Sequence, residues 1–138
     1  MSSLSFIFTT VSGESYSACQ DGDVKLQPDG TPFLRKDDRW FPICGHYFWD
    51  NNHGATAFCN KLGYPKGTVH KTKDRYSEDS IRVGSCREGE DLMACTGGCN
   101  EYETGNGCAG CTVNDPVSVG ITCAGQMDKY STCVIKGK

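Results

Sequence analysis

The ten cysteines are the residues of this sequence whose chemistry is easiest to infer. They occur in a chain of only 138 residues, in an even number and along its whole length. Cysteines spread in this way predict five disulfides that form in an oxidising compartment. The candidates are Cys19, Cys44, Cys59, Cys86, Cys95, Cys99, Cys108, Cys111, Cys123 and Cys133.

Two other kinds of cysteine chemistry compete with disulfides in the second half of the chain. Cys95-x3-Cys99 followed by Cys108-x2-Cys111 has a spacing that could hold a tetrahedral zinc ion. This would leave six further thiols reduced in one small protein, and the surrounding glycines suit a stapled loop equally well. A redox role for Cys108-Ala-Gly-Cys111 would need a strand–helix context that the sequence does not predict.

A group of basic residues follows the predicted helix and could bind an anionic polymer. Several clustered cations can hold sulfate or carboxylate groups through charge-assisted contacts that salt weakens. The alternative is a solvated loop with ordinary surface lysines. The candidate ligand-binding residues are Lys66, His70, Lys71, Lys73 and Arg75, with Arg82 as a sixth.

The sequence has no arrangement typical of a catalytic site. Its only histidines are His46, His53 and His70, and none lies in a motif that pairs a nucleophile with an oriented base. We therefore expect no enzyme, no catalytic residue and no cofactor. The aromatic run from Tyr47 to Trp49 could stack on a sugar, although Trp49 is also a candidate for the core.

Composition excludes several classes of protein. The length of 138 residues predicts one domain over residues 1–138. Hydrophobic residues, counted with the cysteines, make up only 37% of the chain, so we expect a thin core that cross-links help to stabilise. A net charge of −3 makes a dedicated nucleic-acid binder improbable. The sequence contains no apolar run of about 18 residues, so we expect no membrane-spanning helix. The apolar string 6–8 is too short for a signal-peptide core, so either a signal has been removed or the protein is not secreted.

The hydrophobic pattern predicts mostly strands and one helix. Alternating or β-branched residues predict strands at 5–11, 23–27, 31–35, 39–44, 81–83 and 117–123, the first third forming a β-meander. The helix is expected to begin at Asp50 or Asn51 and to end near Leu62, where Gly63 and Pro65 stop it. Residues 66–80 are expected to form a loop with a short strand, and 87–115 to be irregular.

Three segments carry a resemblance to a known family. They are Trp40-Phe-Pro-Ile-Cys44, then Phe48-Trp-Asp50, then Ala55-Thr-Ala-Phe-Cys-Asn-Lys-Leu-Gly63. With Ile81–Cys86, Leu92–Cys95 and Val119–Cys123, they make residues 19–123 resemble the scavenger receptor cysteine-rich domain. The resemblance implies an α+β fold in which a curved antiparallel sheet cradles one helix.

The resemblance also implies disulfide pairs. These are Cys59–Cys123, Cys86–Cys95, and Cys44 with Cys111 in preference to Cys108. Tyr64 stands where the family has the partner of Cys19, so Cys133 is the candidate replacement. Cys99 and Cys108 would then close an inserted loop.

The family's calcium-binding positions are not acidic here. They correspond to Arg82-Val83 and Val117-Ser118, which implies that the usual cation site is absent and that no metal is bound. Another site could use the acids Asp37, Asp38, Glu78 and Asp79, although separate surface acids are more often only solvated.

These features favour a secreted, non-catalytic, monomeric module that binds an extracellular protein or an anionic glycan. The alternative is a small secreted effector, such as an enzyme inhibitor, lectin or defence protein, acting through the bridged loop 96–111. A hydrolase is the third and weakest hypothesis.

Overall fold

The computed structural model describes residues 8–11, 14–95, 111–112, 115–125 and 133–134. These residues form a disulfide-rich α+β structure with one α-helix and three three-stranded sheets. The elements are β1 (Phe8–Val11), β2 (Glu14–Ala18), β3 (Val24–Leu26), β4 (Pro32–Lys36), β5 (Arg39–Pro42), α1 (His53–Lys61), β6 (Lys66–Arg75), β7 (Cys111–Thr112), β8 (Asp115–Ala124) and β9 (Cys133–Val134). No helix in these ranges is long and apolar enough to cross a membrane.

The meander predicted for the first third of the chain is confirmed. β3, β4 and β5 form an antiparallel sheet in sequence order. The turn between β3 and β4 closes through hydrogen bonds between Gln27 and Thr31 and between Gly30 and Gln27. Gly30 has φ +93°, which favours glycine at this position because it lacks a Cβ.

The second turn of the meander contains two aspartates in the left-handed conformation. Asp37 and Asp38 have φ 53° and 64°, and they connect the paired residues Lys36 and Arg39. Two-residue hairpin turns with positive φ match the twist of the strands, and aspartate tolerates this conformation better than most residues. The Asp21 carboxylate accepts a hydrogen bond from the Asp37 N–H at 2.9 Å and holds the turn in place.

The helix begins later than the sequence predicts. Its first residue is His53, so Asn52 occupies the N-cap position that we expected for Asp50 or Asn51. The Asn51 side chain still accepts the His53 N–H at 2.9 Å, while the Asn52 side chain accepts the N–H of Val69 at 3.0 Å. The Asn52 oxygen is therefore used to join the helix to β6 instead of capping it.

The helix ends as predicted. Gly63 has φ +95°, and its N–H donates to the carbonyl of Asn60, while the N–H of Tyr64 donates to the carbonyl of Cys59. This pair of bonds is a Schellman motif, which satisfies carbonyls that the last helical turn leaves without partners.

The loop with a short strand expected at 66–80 is instead a ten-residue strand followed by a loop. Lys66–Arg75 form β6, which pairs with β8 from Lys66–Ala124 to Lys71–Val119, with an irregularity between Lys71 and Arg75. The β-branched residues Thr68, Val69 and Thr72 favour a strand, but the charged residues between them hide its alternation. Because only one face of this strand carries apolar residues, its composition resembles that of a loop.

The short strand expected at residues 81–83 is reduced to a single bridge. Ile81 pairs with Ile43 in parallel orientation, outside any sheet. After it, a 3-10 turn at Leu92–Ala94 interrupts an otherwise irregular segment.

The two ends of the chain meet in a small sheet. β2 lies between β1, which is antiparallel to it, and β9, which is parallel to it. The strand expected at 5–11 is confirmed over Phe8–Val11, and the rest of it lies outside the described residues. Cys133 is in register with Ser17, close to Cys19, which is itself disulfide-bonded. The Cys19–Cys133 pair stays a prediction.

Three disulfides have the pairing that the resemblance implies. They join Cys44 to Cys111, Cys59 to Cys123, and Cys86 to Cys95. The zinc alternative is wrong because Cys95 and Cys111 belong to two different bridges. The redox alternative is wrong because Cys111 is bonded to Cys44. Cys99 and Cys108 lie outside the described residues.

The main hydrophobic core joins the meander, the helix and the β6–β8 sheet. Leu34, Ile43, Phe58 and Ile121 are almost fully buried in it. The helix lies directly on β6 because Gly67 has no side chain, and a Cβ there would overlap the carbonyl of Ala55. A larger residue at position 67 would push the helix away from the sheet.

One half-buried phenol joins the end of the meander to β8. The Tyr76 hydroxyl donates to the carbonyl of Ile43 at 2.7 Å and accepts the N–H of Val119 at 3.1 Å. Burial raises the pKa of Tyr76 to about 12. The neutral phenol therefore satisfies backbone groups of two elements at once.

Of the Cys59–Cys123 and Cys86–Cys95 disulfides, the one that closes the longer loop is expected to stabilise the fold more. Cys59–Cys123 spans 64 residues, whereas Cys86–Cys95 spans 9. The loop-closure model predicts that Cys59→Ala/Cys123→Ala lowers the free energy of unfolding by about 2 kcal/mol more than Cys86→Ala/Cys95→Ala. Urea unfolding of the two double variants measures this difference. Equal losses would contradict the entropic origin of the stabilisation.

Tyr76 is expected to make the fold sensitive to alkali. Its folded pKa lies above the ordinary value of 10, so its contribution is complete below pH 10 and is lost as the pH rises through 12. By pH 11.5 the protein should lose roughly 2 kcal/mol of unfolding free energy that Tyr76→Phe does not lose. Tyr47→Phe, at an exposed phenol, is the matched control. Parallel pH profiles of the wild type and Tyr76→Phe would contradict the prediction.

Candidate functional site

The structure divides the predicted cations of β6 between the two faces of the sheet. Gly67 and Val69 face the helix and core, and Lys71 follows them on the same face because side chains alternate along a strand. Lys66 and His70 have the opposite parity and lie on the other face. Lys66 and His70 therefore do not share a face with Lys71.

Lys71 lies beside an aromatic ring on the core-facing side. Its ammonium is 4.6 Å from the centroid of the Trp49 ring, a distance typical of a cation–π contact. Lys71 itself is exposed, and Trp49 is half-buried against both hydrophobic clusters. The indole thus anchors a surface cation at the edge of the core.

Two further rings extend this group towards solvent. The His46 ring lies 4.4 Å from the Tyr47 ring and stands edge-on to Trp49 at 6.3 Å. Tyr47 is one of the few large apolar residues exposed in the described ranges, at 37%. We call His46, Tyr47, Trp49 and Lys71 the aromatic corner.

Gly45 determines how closely the indole packs at the aromatic corner. A Cβ on Gly45 would lie 2.5 Å from Trp49 Cε3 and 2.9 Å from the carbonyl oxygen of Ser118. Both distances are too short for ordinary contact, so only glycine allows the indole to rest against β8 in this way. The 3-10 turn Phe48–Asp50 then begins with the Trp49 N–H donating to the carbonyl of Gly45.

The backbone of Tyr47 is in a conformation that a bulky residue rarely adopts. Its φ is 65°, in the left-handed region. Such a conformation costs energy and is often found at functional sites, where the surrounding structure enforces it. Here it turns the chain between the buried Cys44 and the buried Phe48 and leaves the phenol on the surface.

The other predicted cations lie at several places in the structure. His70 shares a hydrogen bond of 2.6 Å with Thr122 on the outer face of the sheet. Arg75 lies beyond the β6 irregularity, and Arg82 is half-buried beside the Ile43–Ile81 bridge. The side chain of Lys73 lies outside the described residues. Lys71 is thus the predicted cation whose contact with the aromatic corner the structure describes.

The acids that were alternative metal ligands do not form a site. Asp37 and Asp38 occupy the hairpin turn, while Glu78 and Asp79 are exposed in a separate segment. In the described part of the chain, no group of three or more potential ligands could hold a metal ion.

The sequence named each aromatic residue of the corner but not its contact with Lys71. The missing information was the strand at 66–75, because its alternation determines which cation shares a face with Trp49. The close contact of Gly45 with the Trp49 indole, four residues later, also has no signal in the residue types alone. The loop 96–111, the alternative functional element, lies outside the described residues except for Cys111.

Comparison of the chain with protein-family models, with curated proteins and with solved structures finds no match.

The strain at Tyr47 predicts that glycine is more stable than alanine at this position, the reverse of their usual order. Tyr47→Gly and Tyr47→Ala remove the same ring, but only glycine relieves the left-handed conformation. We expect Tyr47→Gly to be more stable than Tyr47→Ala by about 1 kcal/mol in urea unfolding. If alanine is as stable as glycine here, the backbone is not strained in the way described.

Proposed function

We propose that this chain is a divergent scavenger receptor cysteine-rich domain, secreted and non-catalytic, that binds an anionic glycan at the aromatic corner. The observation that carries the proposal is the contact between Lys71 and Trp49 beside the exposed ring of Tyr47. It combines the two kinds of group that recognise such a ligand, a ring surface and a cation.

The disulfides support the family and the compartment. The bridges Cys44–Cys111, Cys59–Cys123 and Cys86–Cys95 are the pairs that the resemblance implies, and the helix packs on an antiparallel sheet. Disulfides persist mainly in oxidising environments, which favours secretion. A stapled scaffold also keeps a surface site rigid without a large core.

The chemistry of the corner suits a sugar that carries sulfate or carboxylate groups. The rings of Tyr47 and Trp49 present apolar surface on which the C–H face of a pyranose can pack. The Lys71 ammonium is close enough to the indole to contact an acidic group on the same sugar. An exposed cation–π contact contributes only about 0.5–1 kcal/mol, so Lys71 can exchange it for a charged ligand at small cost.

A charge reversal on each face of β6 tests this function. Lys71→Glu and Lys66→Glu make the same change in charge on the same strand, but only Lys71 lies at the aromatic corner. We expect Lys71→Glu to weaken binding of a heparin oligosaccharide about tenfold, and Lys66→Glu to weaken it no more than about threefold. Isothermal titration at two salt concentrations measures both affinities.

The second comparison separates the ring from the charge. Tyr47→Ala removes stacking area and leaves the net charge unchanged, so it should weaken binding of the oligosaccharide equally at low and high salt. Lys71→Glu should lose its effect as salt rises. Equal losses for Lys66→Glu and Lys71→Glu would contradict the proposed site. Absence of heparin binding by the wild type would contradict the proposed ligand.

A further inference from the structure

A second group of cations and rings lies on the outer face of the meander, away from the aromatic corner. Lys25 pairs with Phe33 across β3 and β4, and Arg35 pairs with Trp40 across β4 and β5. Their neighbour Leu34 has the opposite parity and is buried in the core. These four residues therefore share one face, which we call the meander face.

The cations of the meander face lie against its aromatic rings. The Lys25 ammonium is 4.6 Å from the centroid of Trp40 and 5.4 Å from that of Phe33. The Arg35 guanidinium carbon is 5.4 Å from the same Trp40 ring. Two positive charges thus flank one indole.

Two hydrogen-bond donors on the meander face have no acceptor. Arg35 Nε and Trp40 Nε1 are buried, and neither has a hydrogen-bond partner among the described residues. A buried donor without a partner is uncommon, because its lost hydration costs about 1–3 kcal/mol. Both groups are donors and both belong to one cross-strand pair, so a single acceptor group could satisfy them.

The edge of the Arg35 guanidinium reaches the surface at one point. Its Nη2 lies 3.7 Å from a carboxylate oxygen of Asp38, whose side chain is 98% exposed. At this distance the contact is an ion pair without a close hydrogen bond. A ligand can therefore approach the guanidinium from the side of the β4–β5 turn, where its described ion-pair partner is an exposed aspartate.

We propose that the meander face binds a carboxylate group of a ligand through Arg35, with Trp40 and Lys25 as flanking contacts. A carboxylate has two oxygens in one plane, which matches the paired donors of a guanidinium edge. One oxygen accepts from Arg35 and the other from the Trp40 N–H, while the Lys25 ammonium contributes charge. This site is independent of the glycan site proposed above.

Asp38 acts as an internal competitor for this site. Its carboxylate contacts the same guanidinium that the ligand needs, so the ligand must displace it. The other nearby acids are already engaged, because Asp21 accepts the Asp37 N–H and Asp23 accepts the Gln20 N–H. Removing the charge of Asp38 should therefore strengthen ligand binding.

The indole N–H of Trp40 provides a direct readout. The chain has two tryptophans, so a ¹H–¹⁵N spectrum shows two indole signals, which Trp40→Phe assigns. We expect titration with sodium acetate at constant ionic strength to shift the Trp40 signal in a saturable way and to leave Trp49 unmoved. Asp38→Asn, which keeps the left-handed turn acceptable, should tighten acetate binding about threefold.

Matched variants distinguish binding from a structural effect. Arg35→Lys keeps the charge but removes the Nε donor, and it should abolish the saturable shift. Lys71→Glu changes the glycan site and should leave the acetate titration unchanged. The proposal is overturned if acetate moves Trp40 no more than chloride does, if Asp38→Asn does not tighten binding, or if sulfate binds as tightly as acetate.

Discussion

The close contact between α1 and β6 is the constraint on which the rest of the structure depends. Gly67 lets the backbone of the helix touch the strand, and the Cys59–Cys123 disulfide fastens the helix to the adjacent strand β8. The main core forms between these layers and the meander. Because β6 is held here from Lys66 onwards, its alternation is determined, and Lys71 must emerge on the face that holds Trp49.

The elements whose ends are marked by turn-forming or helix-ending residues could be predicted from the sequence. The meander has a Pro-Asp-Gly turn, and the helix has an apolar stripe that ends at Gly63. In both places a residue with restricted or unusual φ marks the end of an element. The three disulfide pairs came from the resemblance to a known family, since composition alone leaves their connectivity open.

The candidate site was predicted as residue types but not as an arrangement. The many charged residues of β6 resemble the composition of a loop, so the sequence predicts only a short strand within 66–80. Without the length and register of this strand, the cations from Lys66 to Arg75 cannot be divided between two faces. The left-handed backbone of Tyr47 and the paired donors of Arg35 and Trp40 depend on tertiary packing, which has no local signal.

We propose that the aromatic corner, and not the outer face of the β6–β8 sheet, binds an anionic glycan. Mapping ¹H–¹⁵N shifts of the intact chain during titration with a heparin oligosaccharide distinguishes the two surfaces. We expect the Trp49 indole and the Tyr47 and Lys71 amides to shift together, while the amides of His70 and Thr122 stay in place. Shifts centred on His70 and Thr122, with an unmoved Trp49 indole, would contradict it.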